Sequence, residues 1–148
     1  MFCVALKMIH DKDAVNDILQ DVFSFYYQKL QNGHIILQPK SWLFKATINK
    51  CIDYSRFRNR YTSIENMGPL ITKEDENDKQ HDAKKMITLA LSKLRSREKT
   101  MILLYGEGMS YKEISEITQI KFSSVGKMLS RTIKKLDEIL KKMNYEMY

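Results

Sequence analysis

Between residues 61 and 82 the chain has little to bury. This segment contains Gly68-Pro69 and the run KEDENDKQHD, and it carries six Asp and Glu against two Lys and Arg. Few apolar groups and many like charges gain too little from burial to offset the entropy of ordering the backbone. The segment therefore reads as a flexible acidic linker, and it interrupts any single core. Residues 1–60 hold nine Lys and Arg against five Asp and Glu, and residues 83–148 hold fourteen against seven. Two small basic domains joined by an acidic connection are the expected organisation.

Both blocks are expected to be helical. Five Gly and two Pro in 148 residues are too few for a turn-rich β fold. No run with period two is flanked by hairpin turns, so the fold class is all-α. Met1 to Ile9 is a short apolar piece. Asp11 to Asp13 offers a start for a helix through Leu30, ended by Gln31-Asn32-Gly33. Beyond Pro39 and Lys40, Ser41 is placed to cap a helix running to about Arg60. From Ala83 the helical pattern resumes and continues to about Lys142.

The net charge of +7 and a pI near 9.3 suit an anionic partner. Cys3 and Cys51 are far apart, and His10, His34 and His81 are scattered, so neither a metal site nor a disulfide framework is legible. The longest apolar runs, Met1 to Leu6 and Met101 to Tyr105, are far short of a membrane span. A cytoplasmic location without membrane insertion is expected. No catalytic constellation, P-loop or cofactor motif is present, which argues against an enzyme.

Three helix faces do not belong to a core. In the Asp13–Leu30 helix, Val15, Leu19, Val22, Phe23, Tyr26 and Leu30 form the apolar stripe. Asp17, Gln20, Asp21, Ser24 and Gln28 lie opposite, a polar face without a cation that suits solvent or a protein partner better than nucleic acid. In the Ser41–Arg60 helix, Phe44, Ile48, Cys51, Ile52 and Ser55 point one way. Trp42, Asn49, Asp53 and Arg60 point the other, flanked by Lys45 and Arg56. Indole offers a stacking plane, the amide can bond a base edge, and guanidinium groups hold phosphate. A lone Trp is more often a core residue than a base platform, and Asp53 with Arg56 is spaced for an i,i+3 ion pair.

The third face lies in SYKEISEITQIKFSSVGKMLSRTIKKL, Ser110 to Leu136. Ser110 and Glu113 form a capping box that starts a short helix near Tyr111, with Ile114 and Ile117 facing inward. A second helix begins near Phe122 with a core stripe of Val125, Leu129, Ile133 and Leu136. Opposite that stripe sit Ser123, Lys127, Ser130, Arg131 and Lys134, with Ser124 at the edge. Small hydroxyls near the N-terminal end let the backbone approach DNA closely, and the cations beyond can reach phosphates. This is the composition of a helix-turn-helix recognition helix.

Taken together, the chain resembles the extracytoplasmic-function (ECF) sigma factors, RNA polymerase sigma factors with regions 2 and 4. VNDILQDVF (Val15–Phe23) is similar to that family's A-E-D-I-V-Q-E-V-F. SWLFKATINKCIDYSRFRNR (Ser41–Arg60) is similar to S-W-L-F-R-I-A-x-N-x-x-x-D-x-x-R. GMSYKEISEITQIKFSSVGKMLSRTIKKL is similar to the region 4 pattern G-x-S-Y-x-E-I-A-x-x-x-G-I-S-x-x-T-V-K-S-x-L-S-R-A-x-K-x-L. The resemblance implies a region 2-like domain over 1–60, a linker over 61–82 and a region 4-like domain over 83–148. It implies that Asp17, Gln20 and Asp21 dock on the clamp helices of core RNA polymerase, with the flap as a further contact. Trp42, Lys45 and Asn49, with the loop Asn32–Lys40, would hold the melted −10 strand of promoter DNA. Arg56, Arg58 and Arg60 would hold phosphates nearby, and Ser123, Ser124, Lys127, Arg131 and Lys134 would contact the −35 element. An anti-sigma factor is an implied partner, and no cofactor is.

Several positions depart from the family pattern. Helical sequence precedes the equivalent of Met1 in the family, so a short region 2 is expected. Asn16 stands for a usual acid, and Gln119 for the hinge Gly, at a cost of about 1 kcal/mol if its φ is positive. Ser115 replaces Ala at the helix crossing. Gly126 replaces a usual Lys, which is expected to loosen the recognition helix by up to about 1 kcal/mol. Two other readings remain open from the residues: a stand-alone helix-turn-helix regulator, and a sigma relative that binds polymerase without initiating.

Overall fold

The computed structural model of the chain describes residues 1–62 and 79–146. Residues 63–78, most of the expected acidic linker, lie outside the described residues. Seven α-helices make up the regular structure among the described residues, and the chain divides into two compact units, Met1–Thr72 and Lys73–Tyr148. None of these helices is long and apolar enough to cross a membrane.

The first unit packs three helices against one another: α1 (Phe2–Ile9), α2 (Lys12–Gln31) and α3 (Pro39–Thr62). Asp11 starts α2, its carboxylate accepting a hydrogen bond from the Ala14 N–H at 3.0 Å. The helix ends in a Schellman turn at Gly33 (φ 78°), where His34 N–H reaches the Lys29 carbonyl and Gly33 N–H the Leu30 carbonyl. Helix α3 begins two residues before the expected Ser41 cap. Pro39 occupies its first position, where a missing N–H costs nothing and φ is already helical.

The core of this unit is Ala5, Ile9, Val15, Ile18, Val22 and Cys51, with Leu6, Leu19, Trp42, Leu43 and Tyr54 packed around it. The expected stripe on α2 needs correction: Ile18 is buried, whereas Phe23 and Leu30 are 50% and 44% exposed. Helices on two sides of α2 draw its buried face toward Ile18, leaving the far edge of the stripe in solvent. On α3, Phe44, Thr47, Ile48 and Cys51 are buried, and Thr47 satisfies its hydroxyl on the Leu43 carbonyl at 2.9 Å. Burial pushes the Cys51 thiol up to about 11, so it is an inert core group.

The second unit comprises α4 (Lys79–Ser92), α5 (Ser96–Gly106), α6 (Tyr111–Thr118) and α7 (Phe122–Glu146). The last residues of the expected linker thus already belong to α4. Gly108 (φ 78°) closes α5 in a second Schellman turn, with Met109 N–H on the Leu104 carbonyl. Met101, Leu104, Ile114, Val125 and Leu129 are almost wholly buried. Glu98 accepts a hydrogen bond from the Arg95 N–H at 2.9 Å and the Lys135 ammonium at 2.8 Å, tying the start of α5 to the middle of α7. Lys135 and then the Arg95 N–H hold the Glu98 carboxyl below its ordinary range.

Asp11 is also the polar centre of the first unit. Its second carboxylate oxygen accepts the Tyr54 hydroxyl at 2.8 Å, and the Arg58 guanidinium beside it donates to the Ile9 carbonyl at 3.4 Å. The Ala14 N–H and then the Tyr54 hydroxyl hold the Asp11 carboxyl below its ordinary value of 3.8. A carboxyl depressed on folding stabilises the protein fully above its unfolded pKa and loses that effect as pH falls through the folded one. Asp11→Ala should therefore cost about 1 kcal/mol in urea denaturation at neutral pH. The deficit relative to wild type should shrink as the pH is taken below 3.8.

Candidate nucleic-acid interface

Helix α6 begins at the Ser110 cap. Ser110 Oγ accepts the Glu113 N–H at 3.2 Å while Glu113 Oε2 accepts the Ser110 N–H at 2.8 Å, so two otherwise orphaned donors are satisfied reciprocally. The helix stops at Gln119, whose φ of 59° is left-handed. Two side chains brace that hinge. Gln119 Nε2 donates to the Glu116 carbonyl at 2.7 Å, and Ser115 Oγ donates to the Ile120 carbonyl at 2.6 Å. Ser115, a departure from a small apolar residue, thus holds the turn closed with its hydroxyl.

Helix α7 leaves the hinge at Phe122. Val125, Leu129 and Thr132 are buried, and Thr132 bonds the Met128 carbonyl at 2.9 Å. Ile133, expected in the core, is 44% exposed, and Thr132 takes its place because the buried stripe drifts around a 3.6-residue helix. Ser123, Lys127, Ser130, Arg131 and Lys134 are all exposed and Ser124 is half-buried. Lys127, Arg131 and Lys134 have no ion-pair partner among the described residues, whereas Lys135, on the inward side, is held by Glu98. The outcome is a cationic stripe with free charges, backed by an apolar face that fixes its direction.

The face of α3 is less uniform than its sequence suggests. Asn49 and Arg60 are exposed and Lys45 is half-buried. Trp42 is also half-buried, its ring centroid 5.5 Å from Tyr26 and 6.0 Å from Phe25, so its ring is held against α2. Arg56 lies 4.0 Å from Asp53, an exposed pair of the kind that contributes little. Arg58 turns toward the end of α1 and the Asp11 group, away from the stripe formed by Arg56 and Arg60. The sequence reading passed over Phe57 and Tyr61. Both rings are about 60% exposed and lie 4.5 Å apart beside Arg56 and Arg60. The i,i+4 spacing of two aromatics was the available signal.

On α2, Asp17, Gln20 and Asp21 are exposed. The face is not cation-free, because Lys50 of α3 reaches Asp21 at 3.1 Å. The loop between α2 and α3 presents Ile35 and Leu37, each more than 80% exposed. No group of three or more His, Cys, Asp or Glu that could hold a metal ion occurs among the described residues.

Residues 84–136, which span α5, α6 and most of α4 and the first half of α7, match the family "Sigma-70, region 4". The chain carries a sigma-70 region 4 domain. Over 133 residues it is also 26% identical to the RNA polymerase sigma factor SigZ of Bacillus subtilis (strain 168), covering 89% of this chain and 76% of that protein. The sigma factor RpoE of Bartonella quintana, solved in complex with the anti-sigma factor NepR, shares the fold. Its TM-score is 0.72 at 22% identity, over 95% of this chain and 89% of that one. The chain is thus similar in sequence to an RNA polymerase sigma factor over most of its length and shares the fold of a second one. The helix-turn-helix of region 4 is α6, the Gln119 hinge and α7.

The hinge of the region 4 domain yields a simple expectation. Gln119→Gly should remove the steric penalty of a left-handed side chain and raise stability by about 0.5–1 kcal/mol, less whatever the Glu116 bond contributes. Thermal melts of the two proteins check this. An unchanged or lower midpoint would show that the side-chain bond outweighs the strain.

Proposed function

We propose that this chain is a promoter-specificity subunit of the ECF type. It binds core RNA polymerase through region 2, grips melted −10 DNA with α3, and holds the −35 element with α7. One observation supports this most directly: the free cationic stripe of Lys127, Arg131 and Lys134, with Ser123 and Ser124 at its N-terminal end, on the second helix of the region 4 domain. Hydroxyls there admit the DNA backbone, and the cations beyond neutralise phosphates. In region 2, Asp17 and Gln20 offer polar groups to the clamp helices, and Asp21 does so beside Lys50. Asn49 presents an amide for a base edge, Trp42 and Lys45 flank it, and Arg56 and Arg60 supply charge for the strand.

Arg58 has a different place in this reading. Its bond to the Ile9 carbonyl makes it a brace between α3 and α1 that supports the −10 face from behind. The RpoE of B. quintana was crystallised with an anti-sigma factor, and a partner of that kind for this chain belongs to the proposal, as do the polymerase flap contact and a cytoplasmic location.

In vitro transcription with bacterial core polymerase is the test. Initiation at discrete sites only when the chain is added supports the reading. Polymerase binding without initiation, or duplex binding without polymerase, would replace it. Asp17→Lys should weaken co-purification with core polymerase while sparing the Lys50–Asp21 pair, and adding Asp21→Lys should abolish it without unfolding the chain. Retained co-purification in the double variant removes the docking assignment. Lys127→Ala and Arg131→Ala should each weaken duplex binding, with the slope of log affinity against log salt falling by about one per residue. If neither changes affinity, α7 is not the recognition helix.

A further inference from the structure

Two surfaces of the first unit meet in one ion pair. Lys50 of α3 donates to Oδ2 of Asp21 on α2 at 3.1 Å, across a sequence separation of 29. Asp21 lies on the face proposed for polymerase, one helical turn from the exposed Asp17. Lys50 directly follows Asn49, whose amide is proposed for a base edge. The ammonium next to the strand face is therefore held by a carboxylate of the docking face. The pair is open to solvent, its side chains 51% and 67% exposed, so either partner can be exchanged without stranding a buried charge. Asp53, at i,i+3 from Lys50 on its own helix, already faces Arg56 at 4.0 Å.

We infer that Lys50 couples the two surfaces: Asp21 holds its ammonium in the free chain, and a polymerase cation that takes Asp21 releases it toward a phosphate of the strand beside Asn49. The inference rests on the proposed roles of Asp21 and Asn49 and adds a linkage between them. Charge stays balanced at both ends of the exchange, because Asp21 keeps a cation and Lys50 gains an anion. Without polymerase, a strand must compete with Asp21 for Lys50. The coupling cannot exceed the worth of the pair, which for an exposed one is about two- to fivefold in an equilibrium constant. By reciprocity, a strand that draws Lys50 away raises the affinity of Asp21 for polymerase by the same factor.

A double-mutant cycle tests the linkage. Wild type, Asp21→Asn, Lys50→Met and the double variant, each as the full chain, are titrated with a mixed-sequence single-stranded DNA oligonucleotide across a series of salt concentrations. Asp21→Asn should tighten binding about two- to fivefold and steepen the slope of log affinity against log salt by about 0.7, because one more cation reaches the strand. In the Lys50→Met chain the same substitution should leave the slope unchanged. The oligonucleotide should also raise the affinity of wild type for core polymerase by a factor about two- to fivefold greater than it does for Lys50→Met. Thermal melts establish that each variant stays folded. An unchanged slope for Asp21→Asn, the same change with and without Lys50, or an equal effect of the oligonucleotide on polymerase affinity in both chains overturns the inference, while the docking and strand assignments stand. If none of the four chains binds the oligonucleotide, the inference is overturned as well, and in vitro transcription decides the strand face separately.

Discussion

The orientation of α7 is set by the burial of Val125, Leu129 and Thr132, and most of what the second unit can do depends on it. Burying a Val or Leu side chain is worth about 1.5–3 kcal/mol. A free surface cation has no comparable preference for direction, and even a paired one contributes about 1 kcal/mol or less. The apolar side therefore decides, and Lys127, Arg131 and Lys134 are carried outward as a consequence. The Glu98–Lys135 pair reinforces the same rotation by taking a cation on the inward flank into an ion pair with α5.

The first unit solves a related problem with a smaller core. Helix α1 has only eight residues, too few to be stable alone. It is held by Ala5 and Ile9 from below and by Arg58 at its C-terminal carbonyl. Asp11 then joins the start of α2 to Tyr54 of α3. One carboxylate caps α2 and bonds α3, and Arg58 of α3 bonds the end of α1, so polar contacts link all three helices at one end of the unit.

Much of this was legible in the residue order. The Asp11 start, the Gly33 stop, the Ser110–Glu113 box and the inward Ile114 and Ile117 follow from local rules of capping and periodicity. Trp42 shows where such rules stop. Its spacing placed it with Asn49 on an outward face, yet its ring leans on Phe25 and Tyr26 of another helix. Arg58 and Lys50 are similar: each carries a charge whose partner lies on an element far away in sequence. Gly126 read as a loss of helix propensity, because the Tyr111 ring beside it belongs to the preceding helix.

The sequence by itself determined that this chain is all-helical, that an acidic segment divides it, and that its C-terminal half contains a helix-turn-helix with a basic outer face. Those conclusions rest on composition, short-range spacing and capping chemistry, which act within a few residues. Only the tertiary structure decided which charges are free and which are consumed: Lys127 and Arg131 stay in solvent while Lys135, Lys50 and Arg58 are engaged. It also decided that Tyr111 lies on Gly126. Such choices depend on distances between helices, and no period along one helix encodes what stands across from it.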